Sequence, residues 1–283
     1  MNAPAGPGTL YVVATPIGNL GDLSPRAAEV LRTVDVVVAE DTRRTRTLLT
    51  HVGARPADLF SLPAFDEEGR VERVVSRLAA GASVALVTDA GTPGVSDPGS
   101  RLVEAAWGAG AKVVPVPGPS AALAALSASG LAADRFLFAG FLPRKGGARA
   151  EALRWLGRVP ATLVLFEAGN RAAATLADLE AALGDRPAAL ARELTKLHEE
   201  IARGRLSELR VRFQGDLRGE VTLVVGGAGE APEETPAEPP EEEILRRLAA
   251  GESPTEVARA VAKGHGLPRG EAYALVERVR GRR

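Results

Sequence analysis

The chain has 283 residues, 45% of them hydrophobic and 25% charged, with no cysteine, three histidines and a formal net charge of −1. That length allows two domains with cores of their own, and the composition excludes a disordered class; without thiols, disulfides and thiolate metal sites are excluded too. Residues 1–8 lack an apolar signal core and no run of about 18 apolar residues occurs, so the expected location is cytoplasmic, with neither membrane nor metal among the partners.

After a flexible N-terminus (1–8), β-branched apolar runs at Leu10–Ala14, Val34–Ala39, Val84–Val87 and Val113–Val116 alternate with Ala/Leu/Arg/Glu stretches of helical length. Strands alternating with helices predict βαβ units and a mostly parallel sheet over 9–130. Ser24-Pro25, Asp97-Pro98 and Gly118-Pro119 mark helix starts, with Asp97 expected to cap the helix beginning at Pro98. A second α/β domain is expected over 131–228, with strands at Phe136–Ala139, Thr162–Phe166, Ala188–Ala191 and Val221–Val225 and helices at Ala148–Leu156 and Arg171–Leu183.

Residues 229–243 read as an acidic Pro-rich linker, since Glu230–Glu243 holds seven glutamates and four prolines without a basic residue. Residues 244–283 read as a basic helical module carrying nine Arg/Lys against four Glu. Its helices are expected to start at Ser253-Pro254-Thr255-Glu256 and Pro268, and to pack through Val257, Val261, Leu275, Val276 and Val279. Arg269 and Arg278 are its candidate RNA contacts.

Three of the strands run into Gly/Pro-rich loops: Thr15–Asp22, Thr88–Gly99 and Pro117–Ala121. In an open α/β sheet the carboxyl ends of strands line the ligand crevice, and such loops let a ligand approach main-chain groups, so three of them predict one site. Asp89, directly after its strand, can accept hydrogen bonds from a cationic or hydroxylated ligand. No dinucleotide or P-loop fingerprint is present, and His198-Glu199-Glu200 lacks the second histidine of a metalloprotease helix. Glu40-Asp41-Thr42-Arg43-Arg44-Thr45-Arg46 has two readings: a solvated helix start, or a phosphate-binding patch of Arg43, Arg44 and Arg46.

Together these segments resemble the tetrapyrrole-methylase superfamily, in its branch that methylates ribosomal RNA. The resemblance is carried by Ala14-Thr15-Pro16-Ile17-Gly18-Asn19-Leu20, Ala39-Glu40-Asp41-Thr42-Arg43, Thr88-Asp89-Ala90-Gly91-Thr92-Pro93, Asp97-Pro98-Gly99, Pro117-Gly118-Pro119-Ser120-Ala121, Gly140-Phe141-Leu142-Pro143 and Ala191-Arg192-Glu193-Leu194-Thr195-Lys196. It implies two α/β domains with a cofactor cleft between them, S-adenosyl-L-methionine as methyl donor, a homodimer, and 2′-O-methylation of a cytidine ribose in the decoding region of 16S rRNA. Porphyrin methylases carry a Gly-x-Gly-Pro-Gly-Asp type of first loop, which Thr15–Leu20 replaces here. A tetrapyrrole or diphthamide-type methylase is the alternative, and a non-enzymatic nucleic-acid regulator the remote one.

By the same resemblance Pro16, Asp89, Gly91, Thr92, Ser120, Ala121 and Phe166 hold the cofactor. Candidates for easing loss of the ribose hydroxyl proton are Glu67, Asp41, Glu193 and Lys196. Where members of the branch carry His-x-His-Asn-Glu, this chain reads Pro63-Ala64-Phe65-Asp66-Glu67 and keeps only Glu67.

Overall fold

The computed structural model describes residues 7–62, 68–215, 217–228 and 239–281. Strands β1 (Thr9–Val13), β2 (Val36–Ala39), β3 (Asp58–Ser61), β4 (Ser83–Val87) and β5 (Lys112–Val116) form a parallel sheet in the order β3-β2-β4-β1-β5. Helices α1 (Pro25–Thr33) and α2 (Thr42–Val52) pack Leu31 and Leu49 against Val13, Val37 and Val87. Helices α3 (Glu68–Ala79) and α4 (Ser100–Gly108) pack Leu78 and Leu102 against Leu10, Val36 and Leu86. With both faces covered, β2 is buried at every residue, which is why its sequence is a β-branched run rather than an alternation.

Helix α5 (Ala121–Ser129) follows β5 but packs on a different sheet. That sheet consists of β6 (Phe136–Phe141), β7 (Thr162–Ala168), β8 (Pro187–Arg192), β9 (Glu200–Arg205) and β10 (Glu220–Val225), in the order β6-β7-β10-β8-β9. Only β6 and β7 run parallel; the other pairings are antiparallel. Helices α6 (Gly146–Leu156), α7 (Ala172–Leu183) and α8 (Leu206–Arg212) cover one face through Leu156, Leu176, Leu179 and Leu209. On the other face Ala122, Ala125 and Leu126 of α5 meet Val164, Ala189, Ala191 and Val224. The small side chains of α5 let it lie close to these strands and so join the two sheets.

Several elements depart from the sequence expectation; α5, for one, starts at Ala121 with Ser120 as its N-cap rather than at Pro119. β3, β9 and α8 lack an apolar run strong enough to announce them; β3 is half-buried throughout, and both strands lie at sheet edges. Helix α4 starts at Ser100 rather than Pro98, with Gly99 as its N-cap, so Asp97 does not cap it. A Cβ on Gly99 would lie 2.7 Å from Leu86 Cδ2, and its φ is +126°: the chain passes too tightly over β4 to turn into a helix earlier.

The chain forms two compact units, Met1–Ala228 and Gly229–Arg283. In the second unit, α9 (Pro240–Ala249), α10 (Pro254–His265) and α11 (Arg269–Arg280) enclose Ile244, Val257, Val261, Val276 and Val279. Ser253 and Glu256 form the expected capping box, with Ser253 N donating to Glu256 Oε2 at 3.0 Å. Helix α9 begins inside the acidic stretch, because Glu241, Glu242 and Glu243 in its first turn complement the positive end of the helix dipole. Glu243 then ties α9 to α10, its Oε2 lying 2.8 Å from His265 Nε2. Among the described residues no helix is long and apolar enough to cross a membrane.

Candidate active site

The parallel register explains why three loops meet. Val13 pairs with Val87 on one side and with Val116 on the other, so the loops after β1, β4 and β5 leave the sheet at one level. The first two are then stitched together: Thr15 N donates to Gly91 O at 2.8 Å and Gly91 N to Thr15 O at 3.0 Å. Gly91 has φ +85° there, a conformation that a side chain would strain. A Cβ on Gly118 would lie 3.0 Å from Ala14 Cβ, which fixes how closely the third loop approaches the first.

Register places two further side chains. Ala39 pairs with Val87, so the residues that follow, Glu40 and Thr88, are neighbours, and Thr88 Oγ1 donates to Glu40 Oε2 at 2.7 Å. Asp89 Oδ1 accepts from Asp41 N at 3.1 Å, while its Oδ2 lies 3.3 Å from Arg44 Nη1. Burial, with the negative charge of Glu40 next, raises the Asp89 carboxyl above its ordinary value. Asp97 is raised further, to about 6, chiefly by burial, with the charges of Glu40, Glu220 and Asp89 adding to it.

These groups open onto a cleft of about 230 Å³ walled by both sheets. Ile17, Val95, Phe141, Phe166, Leu194 and Val221 give it apolar walls, and Thr92, Ser120 and Thr222 give it hydroxyls. The Phe141 ring packs 5.6 Å from that of Phe166. A buried chain of bonds holds the loop after Phe141. Thr175 Oγ1 donates to Glu167 Oε2 at 2.6 Å and accepts from Arg149 Nη2 at 2.9 Å, and Arg149 Nη1 donates to Pro143 O at 3.0 Å.

The loop after β8 closes one side. Glu193 and Thr195 have φ +50° and +65°, strained values for non-glycine residues, and Thr195 N is anchored on Glu199 Oε2 at 2.6 Å. This turn presses on the first sheet's loop: a Cβ on Gly18 would lie 2.6 Å from Lys196 Cγ and 3.0 Å from Thr195 Oγ1. Lys196 Nζ lies 3.1 Å from Glu193 Oε1, and both residues line the cleft.

Of the sequence candidates, Arg44, Asp89, Gly91, Thr92, Ser120, Ala121, Phe166, Glu193 and Lys196 line this cleft. Pro16 lines a smaller neighbouring cavity of about 100 Å³. Asp41 is the N-cap of α2, accepting from Arg43 N at 2.8 Å; its hydrogen bonds from Arg43 hold its carboxyl below the usual range, which makes it a poor base. Arg43 is thereby paired with Asp41, Arg44 with Asp89, and Arg46 is exposed on the same helix. Glu67 lies outside the described residues. Sequence reasoning missed Glu40, Asp97 and Glu220 as cleft residues. Glu40 carried a signal, being the first residue beyond its strand; Glu220, on the other sheet, carried none.

The profile of the tetrapyrrole (corrin/porphyrin) methylases matches residues 9–210. The chain belongs to the tetrapyrrole methylase family. It is 48% identical over 272 residues to the ribosomal RNA small subunit methyltransferase I of Xylella fastidiosa, covering 94% of this chain and 98% of that one. The protein of the same name from Synechocystis is 44% identical, covering 95% and 97%. Among solved structures, a diphthine synthase superposes with a TM-score of 0.60 at 20% identity, covering 77% of this chain and 90% of that one; this likeness shows the fold. The tetrapyrrole methylase match ends within α8, before β10 brings Glu220, Val221 and Thr222 to the cleft.

Proposed function

We infer that the protein is an S-adenosyl-L-methionine-dependent methyltransferase that methylates the ribose 2′-hydroxyl of a cytidine in the decoding region of 16S rRNA. The observation that carries this reading is the near full-length likeness to relatives named ribosomal RNA small subunit methyltransferase I. The cleft fits the cofactor: apolar walls suit a purine, hydroxyls suit a ribose and an amino-acid end, and an excess of carboxylates suits a sulfonium. Asp89, Gly91, Thr92, Ser120, Ala121 and Phe166 would hold it there, with Pro16 supporting the loop from behind. The protein acts in the cytoplasm as a homodimer, closed two-fold pairing being the commonest oligomeric form.

When bound, the cofactor supplies a methyl carbon that is already electrophilic. The protein's task is therefore positioning, which contributes about 7–11 kcal/mol when two reactants are held in line. The ribose hydroxyl would lose its proton to water in the open cleft as it accepts the methyl group. Lys196, steadied by Glu193, supplies a cation beside the oxygen that loses it, and Arg43, Arg44 and Arg46 hold backbone phosphates.

The test is transfer to small ribosomal subunits from a strain lacking this modification, followed by mass mapping of the 16S rRNA. One methyl group on one cytidine ribose is expected; no transfer, or methylation of a base, would overturn the reading. Ser120→Trp fills the cleft, and loss of the Ser120 cap costs about 1 kcal/mol, which leaves the protein folded. This variant should lose both methyl transfer and cofactor binding by calorimetry.

A further inference from the structure

Five carboxylates line the cleft, from Glu40, Asp89, Asp97, Glu193 and Glu220, against two cations, Arg44 and Lys196. The two cations are already engaged, Arg44 with Asp89 at 3.3 Å and Lys196 with Glu193 at 3.1 Å. Negative charge is thus left in excess on a wall built from three places in the chain: the end of β2, the loop after β4, and the start of β10 on the other sheet. Thr88 is only 3% exposed, and its hydroxyl has a single hydrogen, which it directs to Glu40 Oε2 at 2.7 Å. It cannot donate to Asp97 at the same time.

Crowding carboxylates in a partly dry cleft is unfavourable unless the ligand brings positive charge. The methyl donor and its demethylated product differ in just such a charge: both have an amino and a carboxylate group, but only the donor has a sulfonium. We propose that Glu40, Asp97 and Glu220 make the cleft selective for the cationic methyl donor over its neutral product, with Asp97 the member that sets the degree of selectivity. This rests on the placement of the cofactor in this cleft argued above. The wall draws in the donor electrostatically, and methyl transfer, by removing the charge, releases the product's hold on it.

Asp97 is the variable member because its carboxyl is raised to about 6 by burial and by Glu40, Glu220 and Asp89, whereas Arg44, Glu193 and Lys196 are taken up in their own pairs. The sign follows. Above pH 6 Asp97 is charged and selectivity is full; below it Asp97 gains a proton and selectivity falls. By linkage, donor binding near pH 6 must expel that proton, and product binding must expel less.

Calorimetry with S-adenosylmethionine and with S-adenosylhomocysteine, from pH 5 to 7.5, tests this. The ratio of the two affinities should rise about three- to tenfold with pH, the range expected for one charge acting through a partly screened medium. The buffer dependence of the heat at pH 6 should report proton release for the donor and less for the product. Asp97→Asn, which keeps the shape of the side chain and removes only its charge, should hold the ratio at its low-pH value throughout, and Glu220→Gln should lower it at every pH. A ratio independent of pH in the unaltered protein, or unchanged in Asp97→Asn, overturns the inference. Ser120→Trp separates the two layers: if both ligands still bind that variant, the placement of the cofactor is what fails.

Discussion

Asp97 carries a cost that the unliganded protein bears. Its carboxyl titrates near 6 when folded against 3.8 in its ordinary state, so folding opposes its ionisation. Below about pH 4 the group is protonated in both states and costs nothing; the cost grows between pH 4 and 6 and is complete above. Asp97→Asn should therefore stabilise the free protein at pH 7 by about 1 kcal/mol, an allowance having been made for the solvent that reaches this half-buried group, and leave it unchanged at pH 4. Thermal melts at the two pH values check this, and an equal shift at both would show that the effect is not electrostatic. A residue that weakens the fold while sharpening a cleft is the usual trade between stability and function.

At the scale of elements, α5 decides how the two sheets share a cleft, because it is covalently part of the first α/β layer and packs on the second. Ala125 is 1% exposed at that junction, so Ala125→Leu should cost about 1–3 kcal/mol by overpacking, while Ser127→Ala on the exposed side of the same helix should stay within about 0.5 kcal/mol. Denaturant midpoints measure both, and equal costs would mean that α5 is not the tightly packed joint. This junction was hidden in the sequence. An alanine-rich helix is equally compatible with packing on its own sheet, and nothing local says otherwise. The inner strands β2 and β4 were legible because burial on both faces demands β-branched runs, and β1 and the edge strand β5 by their paired valines; β3 and β9, at sheet edges without such a run, read as loop. The site divides the same way. Glycine loops announce themselves by composition, but Glu40 reaches Thr88 only through the pairing of β2 with β4, and Glu220 reaches the cleft only because β10 lies next to β7. Asp97 was visible and misassigned, since Asp before Pro is a common helix start and the tight passage of Gly99 over Leu86 is a tertiary fact.

At the scale of the whole molecule, the helical unit has a core of its own beside those of the catalytic body. Residues 244–283 carry nine Arg/Lys against four Glu, and Arg259, Lys263, Arg269, Arg278 and Arg280 are exposed on α10 and α11. Its core takes up Ile244, Val257, Val261, Val276 and Val279, and the surface of α10 and α11 presents these cations beside the exposed Glu256, Glu271 and Glu277. We propose that this unit is a sequence-tolerant RNA clamp, with Arg269 and Arg278 among its phosphate contacts. Each phosphate neutralised releases condensed counterions, which lowers the logarithm of affinity by about 0.7–0.9 per unit of log salt. Deleting residues 236–283 should therefore leave cofactor affinity as it is, weaken binding to small ribosomal subunits, and flatten the salt dependence of that binding by several such steps. Filter binding across a salt series, with calorimetry for the cofactor, distinguishes the outcomes. A truncated protein that binds the particles with the same affinity and the same salt slope would show that the unit does not touch RNA, and loss of cofactor affinity would show that it supports the cleft instead.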